Sequence, residues 1–136
     1  MRAAIETAAG VAIVDLEEEE VVELDAHVAF VPPDDVSTGL PLVVAADRSG
    51  PLIVAVVARR PPLMVSRDAG STWREAGHGL PVGRGVAISP EHPDLILFAS
   101  ESRLYVSRDG GRFWHPLAIE LEDIRAVVWL TDEGLD

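Results

Sequence analysis

The chain has 136 residues, 48% of them hydrophobic, and a formal net charge of −12. This is one domain's length with enough apolar material for a core, which argues against disorder. The negative charge argues against non-specific binding to nucleic acid or to an anionic membrane, since both need clustered cations.

Cysteine, lysine, asparagine and glutamine are absent, and all 11 basic residues are arginine. Disulfides, thiolate chemistry, cysteine-based metal sites and Schiff-base lysines are therefore excluded. No run approaches the length of a membrane span. No basic start followed by a long apolar stretch marks a signal peptide, so a cytoplasmic location is expected. No cofactor and no metal site are expected either.

Helical periodicity is nearly absent; short apolar runs bounded by Gly, Pro and Asp recur instead, which predicts an all-β fold. Residues 2–7 and 10–15 read as a strand pair. The acidic run Glu17, Glu18, Glu19 and Glu20 sits between strands. It reads as a solvated turn or an edge that resists pairing, with a short helix as the rival. Strands follow at 21–24 and 26–31, then the longest loop signal of the chain at 32–39. Strands at 42–46, 52–58, 63–66 and 72–75 form one unit, and 85–89, 95–100, 103–107 and 113–117 form another. A last strand is expected at 124–130. That makes about thirteen strands, one more than three four-stranded units need.

The two units carry the same octapeptide. Residues 66–73 read Ser-Arg-Asp-Ala-Gly-Ser-Thr-Trp and residues 107–114 read Ser-Arg-Asp-Gly-Gly-Arg-Phe-Trp. Both fit Ser-x-Asp-x-Gly-x-x-Trp, and they start 41 residues apart. The apolar runs Leu63-Met64-Val65 and Leu104-Tyr105-Val106 precede them. An apolar run, Asp-x-Gly and then an aromatic read as strand, tight turn, strand. Asp68 and Asp109 can accept hydrogen bonds from N–H groups of their own turn. Gly70 and Gly111 supply a positive φ. Ser66 and Ser107 can bond across the hairpin neck, and Trp73 and Trp114 can fold over it. A Ca²⁺ loop would need several spaced oxygen ligands and usually a bidentate Glu, which neither copy offers. A period of about 40 residues with four strands each is the pattern of a propeller blade.

The octapeptide resembles the Asp box of the BNR-repeat β-propeller proteins, and the resemblance covers roughly residues 41–117. It implies a propeller of four-stranded antiparallel blades, with Ser66, Asp68, Gly70, Trp73, Ser107, Asp109, Gly111 and Trp114 structural and at the outer rim. Within one domain, residues 41–81 and 82–117 are then blade-like repeats, and residues 1–40 with 118–136 supply the remaining unit. The C-terminal strand is expected innermost in that unit. Three blades are too few for a ring, which usually has about four to eight. A homodimer forming one six-bladed ring is therefore expected.

In such propellers, ligands bind on the face opposite the Asp boxes. The resemblance projects that face onto Arg59, Arg60, His78, Arg84, Glu101, Arg103, Glu122, Asp123 and Arg125. An arginine on a rigid rim can grip a carboxylate or phosphate through its planar fork. In so acidic a chain, most of these arginines are expected in ordinary surface pairs. The histidines at 27, 78, 92 and 115 do not fall at metal-ligand spacing.

The family includes sialidases and other glycoside hydrolases alongside sortilin-like receptor domains. Sialidases need an arginine triad, a Tyr–Glu nucleophile pair and an acid–base Asp. The single tyrosine here, Tyr105, lies in the apolar run just before an octapeptide, on the wrong side for a central nucleophile. The expectation is a non-catalytic propeller scaffold that binds a protein or a carbohydrate-like ligand. A small sialidase-like glycoside hydrolase is the alternative, and a repeat protein with no ligand of its own is a third.

Overall fold

The computed structural model describes residues 1–24, 30 and 36–130. The strand expected at 26–31, part of the loop at 32–39, and His27 lie outside the described residues. The remainder is all β. The strands are β1 (Arg2–Thr7), β2 (Gly10–Asp15), β3 (Glu20–Glu23), β4 (Val43–Ser49), β5 (Leu52–Val57) and β6 (Leu63–Ser66). They continue with β7 (Arg74–Ala76), β8 (Gly85–Ile88), β9 (Ile96–Ala99), β10 (Arg103–Ser107), β11 (His115–Glu120) and β12 (Ile124–Leu130).

These strands form three four-stranded antiparallel sheets. The first repeat sheet is β4-β5-β6-β7 and the second is β8-β9-β10-β11, each a simple meander. The third, composite sheet has the order β12-β1-β2-β3. Its last strand in sequence lies beside its first, with Arg2 opposite Leu130 and Ile5 opposite Val127. Bulges interrupt the ladder between Val43 and Ala45 and between Glu6 and Thr7.

The second repeat sheet lies between the other two. Alternating side chains send its residues to opposite faces. Ile96 and Phe98 join Val54, Val56, Leu63 and Val86 in one buried cluster. Leu97 and Ala99 join Ala3, Ile5, Val14 and Val127 in another. A strand packed on both sides should read as a continuous apolar run, and Ile96–Ala99 is buried at every position. Phe98 is wholly buried; its ring meets Tyr105 at 5.8 Å and Trp114 edge-on at 6.0 Å between centroids. The edge strands β4, β8 and β12 are neighbours in the packed sheets.

The return strands begin later than the sequence suggests, at Arg74 and His115 rather than at 72 and 113. The cause is local competition. The N–H groups of Thr72 and Phe113 are bonded by the turn aspartates and so are withheld from the strand ladder. The rival reading of the acidic run as a helix is not met: residues 17–19 form a turn and Glu20 opens β3.

Candidate functional site

The registers sort the loops onto two ends of the sheets. Both octapeptide turns and the turn at 16–19 lie at one end. The connections 58–62, 77–84, 100–102 and 121–123 lie at the other. This follows because Gly85 is paired with Ala99, Leu63 with Ala76, and Thr7 with both Gly10 and Ile124. All nine candidates projected from the sequence belong to that second end.

The structure brings three of them together. The Arg84 guanidinium reaches Asp123 Oδ1 at 3.3 Å and donates to the Ile124 carbonyl at 3.3 Å. Arg125 approaches the other Asp123 oxygen at 3.5 Å. Asp123 is thus held between an arginine entering β8 and one at the start of β12. All three are substantially exposed, so these pairs are worth little energetically. They set positions rather than stability, and they leave two guanidinium forks on one carboxylate. Nearby, the Glu101 carbonyl accepts the Ile124 N–H at 2.8 Å, and Arg103 is paired with Glu120. Glu122 is exposed.

Arg59 and Arg60 do not join this group. Arg59 turns back on Met64, with a guanidinium nitrogen 3.4 Å from the sulfur. Arg60 and His78 line a small hollow with Pro61, Gly79 and Leu80. Among the described residues, no group of three or more His, Cys, Asp or Glu side chains could hold a metal ion. Tyr105 stands half-buried against Phe98 within the inter-sheet core.

The octapeptide turns are closed hydrogen-bond circuits. Ser66 Oγ donates to Asp68 Oδ1 at 2.8 Å and accepts the Gly70 N–H at 2.7 Å. The Thr72 N–H donates to Asp68 Oδ1 at 2.8 Å, and the Thr72 hydroxyl donates to Oδ2. In the second copy, Ser107 Oγ donates to Asp109 Oδ1 at 2.8 Å and accepts the Gly111 N–H at 2.8 Å. The N–H groups of Arg112 and Phe113 donate to Asp109 at 3.1 and 3.0 Å. The serines therefore bond within the turn rather than across the hairpin neck.

These donors stabilise the charged carboxylates. The Thr72 hydroxyl and N–H, with Ser66, bring the Asp68 pKa down to about 2. The Phe113 N–H and Ser107 lower that of Asp109. Both acids are occupied by their own turns and stay ionised, which suits a turn clasp and not a proton donor. The turn between β2 and β3 is a shorter relative. Asp15 Oδ1 accepts the N–H groups of Glu17 and Glu18 at 2.9 and 3.0 Å, and the Glu18 N–H leads in lowering its pKa.

A cleft of about 670 Å³ opens at the outer side of the two repeat sheets. Arg67, Arg74, Arg112, His78 and Glu75 supply its charged and titratable groups. Of these, sequence reasoning singled out only His78. One signal was present: the second octapeptide position is arginine in both copies, as Arg67 and Arg108. Comparison of the chain with protein-family models and with curated proteins yields no match.

Proposed function

We propose that this protein is a non-catalytic binding scaffold, half of a six-bladed β-propeller of the Asp-box kind, completed by a second copy. One observation carries this reading. The face that the second repeat sheet turns towards the first contains Val86, Ile96, Phe98, Tyr105 and Trp114. Shifting by the repeat lengths of 43 and 41 residues gives Val43, Ile53, Ala55, Met64 and Trp73. Those residues belong to the far face of the first repeat sheet, which no other sheet covers among the described residues. On this face Val43 is exposed and Met64 and Trp73 are half-buried, while Ile53 and Ala55 are already buried within the chain, so among the described residues it is a packing face that no sheet covers. Repeat units need such end faces capped.

The exposed apolar side chains support the same reading. Leu42, Val43 and Val44 are exposed on the first repeat sheet, and Val21, Val22 and Leu24 on the composite sheet. These are the two end sheets of the arc. In the proposed ring, the far face of the composite sheet, which carries Ala4, Ile13 and Val128 and on which Ala4 and Ile13 are already buried, would meet the first repeat sheet of a second copy. That contact is heterologous, and two identical contacts close a ring. Closure doubles the Arg84–Asp123–Arg125 group on the end opposite the Asp boxes, where a protein or carbohydrate-like ligand would meet paired guanidinium forks.

The test is solution mass by light scattering coupled to size exclusion, over a range of concentrations, for the native chain and for Val43→Glu. A dimer that dissociates in the variant is expected. A native monomer at micromolar concentration overturns the ring, and turnover of a sialoside or other glycoside overturns the non-catalytic part.

A further inference from the structure

We infer that the cleft between β7 and the second octapeptide turn is a binding site for a small ligand carrying two or more anionic groups, of the phosphate-ester or polycarboxylate class. The cleft lies within one chain, so the inference is independent of ring closure. Its volume of about 670 Å³ falls in the range of small-molecule sites, about 300–1,000 Å³.

The charge inside it runs against the rest of the molecule. The chain carries a net charge of −12, yet Arg67, Arg74 and Arg112 share this cleft with His78. Arg74 follows from register: it is paired with Val65, whose side chain belongs to the inter-sheet core, so it is on the side facing the second repeat sheet. Arg67 is fixed by a neutral partner. Its Nη2 donates to the Gly110 carbonyl at 2.9 Å, from the first octapeptide to the second. A guanidinium anchored by a carbonyl keeps its full charge and its remaining donors. Arg74 and Arg112 have no ion pair or side-chain hydrogen bond among the described residues.

None of the nearby acids forms an ion pair with these arginines among the described residues. Asp68 and Asp109 are committed to their own turns. Asp94 approaches Gly110 but forms no ion pair with Arg67 among the described residues. Glu75 is the one carboxylate in the lining, and it is paired with Met64, which puts it on the face of the sheet opposite Arg74. Three planar forks around one hollow, one of them held in advance, match a ligand with several oxyanion groups.

The probes are pyrophosphate and citrate, titrated by calorimetry and by backbone amide NMR at low and at physiological salt, with a neutral sugar as control. Millimolar or tighter binding that weakens with salt is expected, with shifts confined to the cleft. The tighter probe assigns the ligand to the phosphate or to the carboxylate class. Arg74→Gln and Arg112→Gln should each weaken binding about tenfold, the scale of one charge-assisted hydrogen bond. Arg108→Gln, outside the cleft, should leave it unchanged. Arg74→Lys and Arg112→Lys keep the charge but lose the fork, and should retain part of the affinity.

Absence of binding at about 10 mM of either probe overturns the site. Binding that survives the Arg74→Gln/Arg112→Gln double variant overturns it too. An equal loss in Arg108→Gln would mean general charge attraction and would also overturn it.

Discussion

The indole N–H of Trp129 donates to the carbonyl oxygen of Ala87 at 2.8 Å, joining the edge strand of the composite sheet to that of the second repeat sheet. One residue further along, the Ile88 N–H is bonded by Asp47 Oδ2 at 2.7 Å from the first repeat sheet. Because β8 has a strand on one side only, its other edge carries backbone groups without ladder partners, which invite wrong pairing. Side chains from the two flanking sheets therefore tie their own strands to this edge. Polar contacts of this kind set how three apolar faces are positioned, which hydrophobic burial alone does not specify.

Trp129→Phe keeps most of the packed ring and removes the hydrogen bond. It should cost about 1 kcal/mol, or somewhat more where the Ala87 oxygen is left poorly solvated. Trp129→Ala should cost about 3–5 kcal/mol, because the aromatic volume is lost as well. Reversible chemical denaturation measures both. Equal losses for the two variants would mean that the hydrogen bond, and not the ring, carries the contribution.

The turn aspartates set the acid limb of stability. A folded-state pKa below the unfolded value means that the native state favours the charged form. The contribution is complete above the ordinary value of 3.8 and is lost as pH falls toward the folded value, about 2 for Asp68. The same sign holds for Asp109. The thermal midpoint of the native chain should therefore fall as pH drops through this window. Asp68→Asn should lower the midpoint at neutral pH and flatten its dependence on acid. Carboxylate NMR should find Asp68 titrating near 2; a midpoint near 3.8 would contradict the clasp.

Particular residues explain what could be read in advance. The two meanders follow from Asp68-x-Gly70 and Asp109-x-Gly111, because local turn chemistry and the strand period agree there. The placement of Arg84, Asp123 and Arg125 on one end follows from counting strands. Their mutual approach does not, since it depends on β12 lying beside β8, a contact between distant parts of the chain. The Arg67–Arg74–Arg112 cleft was hidden for the same reason: Arg112 belongs to another sheet. Propensity places the start of β7 at Thr72, too early, because the Asp68 carboxylate captures the Thr72 N–H. Burial patterns along β9 were legible; the partner of each face was not.

The two octapeptides differ at one strained position. Ala69 has φ +59° and its counterpart Gly110 has φ +75°. A residue with a Cβ costs about 1 kcal/mol more than glycine in this region. Ala69→Gly should therefore stabilise the chain by at most about 0.5 kcal/mol, after the greater freedom of glycine in the unfolded state is offset. Gly110→Ala should destabilise through its φ alone, because the added Cβ would meet the Arg67 guanidinium at 3.4 Å, an ordinary contact. Urea midpoints for both variants decide the matter. Destabilisation by Ala69→Gly would show that Ala69 makes a contact that outweighs its backbone strain.

Gly83 answers to a different constraint. A Cβ there would lie 2.5 Å from Phe98 Cε2 and 2.7 Å from Val56 Cγ1, inside the core shared by the two repeat sheets. Phe98 cannot easily yield, because Tyr105 and Trp114 flank its ring. Gly83→Ala should therefore cost about 1–3 kcal/mol by overpacking. Trimming the obstacle should relieve it: Phe98→Leu is destabilising alone, but combined with Gly83→Ala it should cost less than the sum of the single changes. A double-mutant cycle by chemical denaturation reads that coupling directly. Strict additivity would locate the cost of Gly83→Ala in the linker backbone or against Val56, and not against the Phe98 ring.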